Sequence, residues 1–206
     1  MSCPSCGAEI NYDQRVAVLA VCEYCHSAII YDEQAASILG KMSAIAAPIG
    51  PLFLNATGDV HKQNFRVLGR VRYAYGQGFW DEWYLEHDDG TTSWVSEDEK
   101  RLMHEKAETV DLDRQTVLSL GPGDRFDLKG FEYSVREKGV AICEAGEGQL
   151  PFPIISDEEV PFLDLIRSDG QTATLEVEPN GTVKFYEGQR VELKDIRLDF
   201  ENPHSK

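Results

Sequence analysis

The sequence predicts a mainly β protein. It has a small cysteine-bearing N-terminal unit, one short linker helix and a strand-rich body made of two related units, either small sheets or barrels. Three observations carry this reading. Two short cysteine pairs stand near the start, apolar and polar residues alternate at period two from residue 64 onward, and turn dipeptides recur at corresponding places in the two halves.

The cysteine pairs are Cys3-Pro4-Ser5-Cys6 and Cys22-Glu23-Tyr24-Cys25. Their pattern, C-x2-C-x15-C-x2-C, is the spacing of a four-thiolate zinc site. Two intervening residues let each pair turn back and aim both sulfurs at one ion, and Gly7 to Val21 is long enough for a hairpin between the pairs. A segment of about 30 residues has too little core to fold alone, so the metal supplies folding free energy. Residues 1–31 are therefore read as a zinc ribbon holding one structural Zn2+ on Cys3, Cys6, Cys22 and Cys25. Four protein ligands leave no open coordination position, which argues against catalysis at this site. The neighbouring His26 is read as a surface or outer residue rather than a ligand.

Residues 32–54 are read as helix and linker. Asp32 can cap a helix over residues 33–39, and Gly40, Pro48, Gly50 and Pro51 then break the pattern. The first β-unit spans 55–108. Asn64 to Tyr75 alternates apolar with basic or polar residues at period two, Phe79 to Glu86 returns as an aromatic-rich strand, and Asp89-Gly90 turns the chain into a third strand, Thr91 to Val95. The second unit spans 109–206. Gly123-Asp124 followed by Phe131 and Val135 echoes Gly58-Asp59 followed by Phe65 and Val67, and Asp169-Gly170 echoes Asp89-Gly90. Glu144 to Pro151 is expected to be a glycine- and acid-rich loop within a longer acidic insertion. Strands follow at 162–166, 172–177, 183–186 and 191–198.

Charge bounds the partners. The chain carries 20 basic and 36 acidic residues, a formal net charge of -16. Its first 54 residues hold only Arg15 and Lys41 against five acids. Nucleic acid binding needs Lys and Arg to neutralise phosphates, so this balance disfavours it, as it does an anionic membrane surface. It suits a protein partner that is basic, a polyamine or another cation. Met1 is followed at once by the first cysteine pair, leaving no room for a signal peptide. The longest apolar stretch, Met42 to Leu54, is broken by two prolines and too short to span a bilayer. Reduced thiols held as a metal site indicate the cytoplasm. Cys143, without a sequence partner, reads as a small buried hydrophobe.

Two candidate ligand surfaces remain. On the strand Phe79 to Glu86, Trp80, Glu82 and Tyr84 share one face and form an acidic-aromatic set that could hold a cation, against the plainer reading of cross-strand packing. Glu144 and Glu147 lie in the acidic loop, which acidic runs usually leave solvated. No phosphate-loop, nucleophile-elbow or zinc-protease motif is present. The reading that follows is a non-catalytic zinc-binding interaction or assembly module of the cytoplasm. The alternative is a β-domain that binds or acts on a cationic metabolite such as a polyamine.

The ribbon, Gly40-Lys41, the strand Trp80-Asp81-Glu82-Trp83-Tyr84-Leu85 with Asp89-Gly90 and Trp94-Val95, and the later pieces Glu147-Gly148-Gln149-Leu150-Pro151, Ala173 to Glu176 and Tyr186 to Val191 resemble the bacterial "domain of unknown function 4178" proteins. The likeness covers nearly the whole chain. It implies β-rich modules, often behind a zinc ribbon, encoded near membrane-associated and polyamine-related genes. It supplies no catalytic residues.

Overall fold

The computed structural model describes residues 1–31, 35–76, 78–99 and 101–199. The ribbon contributes three strands, β1 (Leu19–Val21), β2 (Ser27–Tyr31) and β3 (Ala36–Lys41). No hairpin forms between the cysteine pairs. Instead β1 leads into the second pair, with β2 on one side and a long strand of the body on the other. The expected linker helix is also corrected. Its described part, Ala36–Lys41, is the strand β3 antiparallel to β2, while Asp32, Glu33 and Gln34 lie outside the described residues. A single short helix leaves most of its terminal backbone groups unpaired, whereas pairing with β2 satisfies one whole edge of the segment.

The body runs β4 (Thr57–Val60), β5 (Gln63–Tyr75), β6 (Gly78–His87), β7 (Thr92–Asp98) and β8 (Arg101–Val110). A short helix, α1 (Arg114–Ser119), follows, its N-terminus capped by Asp113, which accepts from the Thr116 amide. Then come β9 (Arg125–Leu128), β10 (Phe131–Leu150), β11 (Glu159–Arg167), β12 (Thr172–Val177), β13 (Val183–Val191) and β14 (Ile196–Leu198). The chain is mainly β, and α1, not the linker, is its one α-helix among the described residues.

Neighbours in the sheet run β5-β6-β7-β8-β13-β12-β11-β10, and β10 pairs back onto β5. The ring therefore closes as an eight-stranded barrel, which removes its free edges. The two units expected as separate sheets or barrels are the two halves of this one ring, because β8 pairs with β13 and β5 with β10 across the divide. The halves share turn hydrogen bonds. The amide of Val67 donates to Ala56 as that of Val135 donates to Asp124, and the Gly90 amide donates to His87 as that of Gly170 donates to Arg167.

The expected acidic loop 144–151 is strand. β10 is 20 residues long and pairs in turn with β9, β11, β5 and β1. Its glycines serve close approach rather than mobility. Gly148 has φ +74, and a Cβ there would lie 2.3 Å from the Leu68 carbonyl oxygen at the β5 seam.

Both faces of the barrel wall are buried over much of its area. Outside the first half, Trp83, Leu85, Val95 and Leu102 pack with Leu52, Ala56 and Ile196, so the linker and β14 cover that wall. Outside the second half, Leu163, Leu175 and Phe185 pack with Val117 of α1. The inward residues, including Tyr73, Tyr84, Trp94, Phe162 and Tyr186, form one cluster with Leu19, Val21 and Ala28 of the ribbon. The ribbon thus closes onto the inward-facing core.

Candidate metal centre and barrel interior

Each cysteine pair folds into the same backbone turn. The Cys3 amide donates to Ala8 and the Gly7 amide to Cys3, while the Cys22 amide donates to Ser27 and the His26 amide to Cys22. The residue after each second cysteine is left-handed, Gly7 at φ +78 and His26 at φ +58. His26 is a turn residue outside the ligand set. The turns bring the sulfurs of Cys3, Cys6, Cys22 and Cys25 within 4.8 Å of one another, with Cys3 to Cys25 and Cys6 to Cys22 each at 3.7 Å. Tetrahedral thiolates at a metal–sulfur distance of about 2.3 Å stand roughly 3.8 Å apart, so the set fits one metal ion. Ser27 Oγ lies 3.3 Å from Cys25 Sγ, and this hydrogen bond holds the Cys25 thiol down at about 6.

The site is anchored to the barrel. β1 pairs with the end of β10 from Leu19–Leu150 to Val21–Gly148. The Asp13 amide donates to Gln149 Oε1 at 2.6 Å, and the Tyr84 hydroxyl donates to the Val16 carbonyl at 2.8 Å. β3 ends the sheet on this side, with Ile38 and Leu39 exposed at 49% and 38%.

Trp80, Glu82 and Tyr84 do share one face, but it faces into the ring. Glu82 is 6% and Tyr84 3% exposed, Trp80 is half-buried, and its ring meets Phe162 of β11 from across the barrel at 5.6 Å. They present no surface to a macromolecule, because the strand alternation that groups them also turns them inward. Glu82 Oε1 accepts from Trp80 Nε1 at 3.1 Å, while Oε2 is buried without a protein partner. Glu105 of β8 and Glu176 of β12 face the same interior, both over 90% buried. Burial pushes Glu82 and Glu105 up to about 7 and Glu176 well above the usual carboxylate range. Nothing in the sequence signals this trio. Glu105 sits in the charged run His104-Glu105-Lys106, which reads as solvated.

Asp81, one residue from Glu82, faces outward beneath the linker. It accepts from Arg70 and twice from Arg72, all at 2.8 Å. Arg70, 1% exposed, also donates to the Ala46 carbonyl and to Glu147 at 3.2 Å. Of the two acidic-loop candidates, Glu147 is thus ion-paired and partly buried, and Glu144 is exposed.

The family model described as "Domain of unknown function (DUF4178)" matches residues 54–193. The chain belongs to this family. The match covers the barrel and leaves the cysteine ribbon outside it. No curated protein and no solved structure matches the chain.

Proposed function

We propose that this chain is a non-catalytic, zinc-bearing assembly module whose ribbon is stapled to the barrel and offers a partner its outermost strand. The observation that carries this reading is the four-sulfur set at tetrahedral spacing. A set of four cysteines is the chemistry of structural zinc, and it leaves no position for substrate. The edge strand β3, with Ile38 and Leu39 outward, supports strand addition by a partner. The formal charge of -16 favours a basic protein. Free thiols poised for metal suit the cytoplasm; no helix among the described residues is long and apolar enough to cross a membrane.

Elemental analysis of purified protein is expected to give about one zinc per chain, lost in Cys3→Ser/Cys6→Ser. Affinity purification from the native cell should then recover a stoichiometric basic partner with the intact chain and lose it with Leu39→Pro, which keeps the cysteines. Zinc-free protein with a folded ribbon would overturn the metal reading. Equal recovery with Leu39→Pro would overturn the docking edge.

A second reading is favoured by the unpartnered Glu82 oxygen facing Glu105 and Glu176. Here the barrel interior takes a small organic cation such as a polyamine, between carboxylates and the rings of Trp80, Tyr73 and Tyr186. Calorimetric titration with spermidine separates the readings, since only this one expects binding that Glu82→Gln abolishes.

A further inference from the structure

The outer wall of the first half holds three histidines that the ribbon and the carboxylate interior do not use. A hydrogen-bonded chain orders them. His87 Nδ1 lies 2.9 Å from the Asn64 carbonyl oxygen, His87 Nε2 lies 2.7 Å from Ser93 Oγ, and His104 Nε2 lies 2.9 Å from the same Oγ. The direction of the chain follows from its end. A carbonyl only accepts, so His87 carries its proton on Nδ1 and, in its neutral form, accepts through Nε2. The Ser93 hydroxyl then donates to His87, and Ser93 Oγ accepts from His104 Nε2–H. The neutral His104 ring is left with a bare lone pair on Nδ1.

That lone pair faces a second imidazole. His61 Nδ1 stands 3.3 Å from His104 Nδ1, with ring centroids 5.4 Å apart. This is long for a hydrogen bond, whose usual range ends near 3.2 Å. It matches two nitrogen ligands on one tetrahedral ion, since metal–nitrogen bonds of about 2.0–2.1 Å place them roughly 3.3–3.4 Å apart. The local backbone is also unusual. His61 and Lys62 form the β4–β5 turn with φ +50 and +65, both left-handed without glycine or asparagine, whereas the matching turn of the second half is Lys129-Gly130. Keeping a histidine in that conformation costs backbone strain and directs its ring onto His104.

We propose that His61 and His104 form a second metal site, distinct from the ribbon, binding a divalent ion that takes tetrahedral coordination, of the zinc and cobalt class, through Nδ1 of each ring. Imidazole pairs suit these ions. The chain through Ser93 and His87 to Asn64 is the outer support that fixes the tautomer and orientation of a ligating histidine. Among the described residues no third histidine, cysteine or carboxylate completes the set. His104, but not His61, lines a surface hollow of about 380 Å³ with Gln63, Lys106, Arg167 and Glu187.

The test uses the tag-free full chain with its ribbon already loaded with zinc, titrated with Co2+, which accepts tetrahedral coordination and is paramagnetic, by calorimetry and followed by histidine-ring NMR. One further equivalent is expected, with paramagnetic broadening at the His61 and His104 rings. His61→Asn, which tolerates the left-handed turn, should weaken uptake at least ~tenfold, and Ser93→Ala about tenfold by freeing the His104 ring. Circular dichroism melting of each variant keeps misfolding apart from lost binding. Absence of a further equivalent, broadening at other histidines only, or unchanged uptake in a folded His61→Asn protein would overturn the site.

Discussion

Asp81 and Glu82 are neighbours in sequence and opposites in circumstance. Both are buried in the barrel wall, on the two faces of β6. Asp81 sits between two guanidinium groups with three hydrogen bonds at 2.8 Å and a cover of linker backbone. Glu82 has one indole donor, an unpartnered oxygen and two further carboxyls for company. Burial alone therefore says little about a charge. What matters is whether the opposite charge is buried with it, because attraction must offset the cost of leaving water. The outer face is arranged to hold a carboxylate. The inner face is arranged to keep its carboxyls protonated, or to receive a cation.

The largest expected effect is on the paired side. Asp81→Asn keeps the shape but removes the buried counter-charge of Arg72 and leaves Arg70 only the partly exposed Glu147, and breaking a buried pair this way costs about 3–5 kcal/mol. Glu82→Gln should cost far less at pH 5, where the glutamate is already neutral. Denaturant unfolding of both variants at that pH measures the contrast. Equal losses would mean that the two faces are not differently solvated.

Next comes the pH dependence of the unpaired side. A carboxyl with a raised folded-state pKa binds its proton in the folded protein where the unfolded chain has released it, so its contribution is present below the ordinary pKa near 4.5 and lost as pH rises through the folded value. For Glu82 and Glu105 that window closes at about 7. Unfolding free energy should therefore fall between pH 5 and 8, by roughly 3 kcal/mol for each carboxyl if the 1.4 kcal/mol per pKa unit holds. In Glu82→Gln/Glu105→Gln the decline should flatten. A wild-type profile that rises across the same interval would refute the account.

This contrast also marks how far the sequence can be read. The cysteine spacing locates all four members of the candidate metal set, because two residues between cysteines favour one backbone turn. Strands such as Asn64 to Tyr75 are legible from alternation, and the turns from Asp-Gly pairs. Alternation, however, reports only that two faces differ, not which one meets water. In Trp80-Asp81-Glu82-Trp83 both faces are buried, so a pattern that reads as surface against core is in fact inside against outside. Ring closure is likewise invisible, since the β5–β10 and β8–β13 pairings join residues about 70 to 90 positions apart. Ala36 to Lys41 misleads for the opposite reason: locally it suits a helix, and the partner that makes it a strand is β2.

The smallest effect sharpens the comparison most. Trp80→Phe keeps an aromatic ring in the interior and removes, with part of the indole, the N–H that donates to Glu82 Oε1 at 3.1 Å. That bond favours the ionised form, so losing it should raise the Glu82 pKa further. Stability at pH 5 should fall by the worth of one hydrogen bond, about 1 kcal/mol, plus the packing of the missing ring atoms, while the pH at which stability begins to fall moves upward. A protein that merely lost packing would drop equally at every pH. Parallel melting series at pH 5 to 9 distinguish a moved midpoint from a uniform drop. A moved midpoint ties the pH response to this one carboxyl, and a uniform drop would detach Glu82 from it.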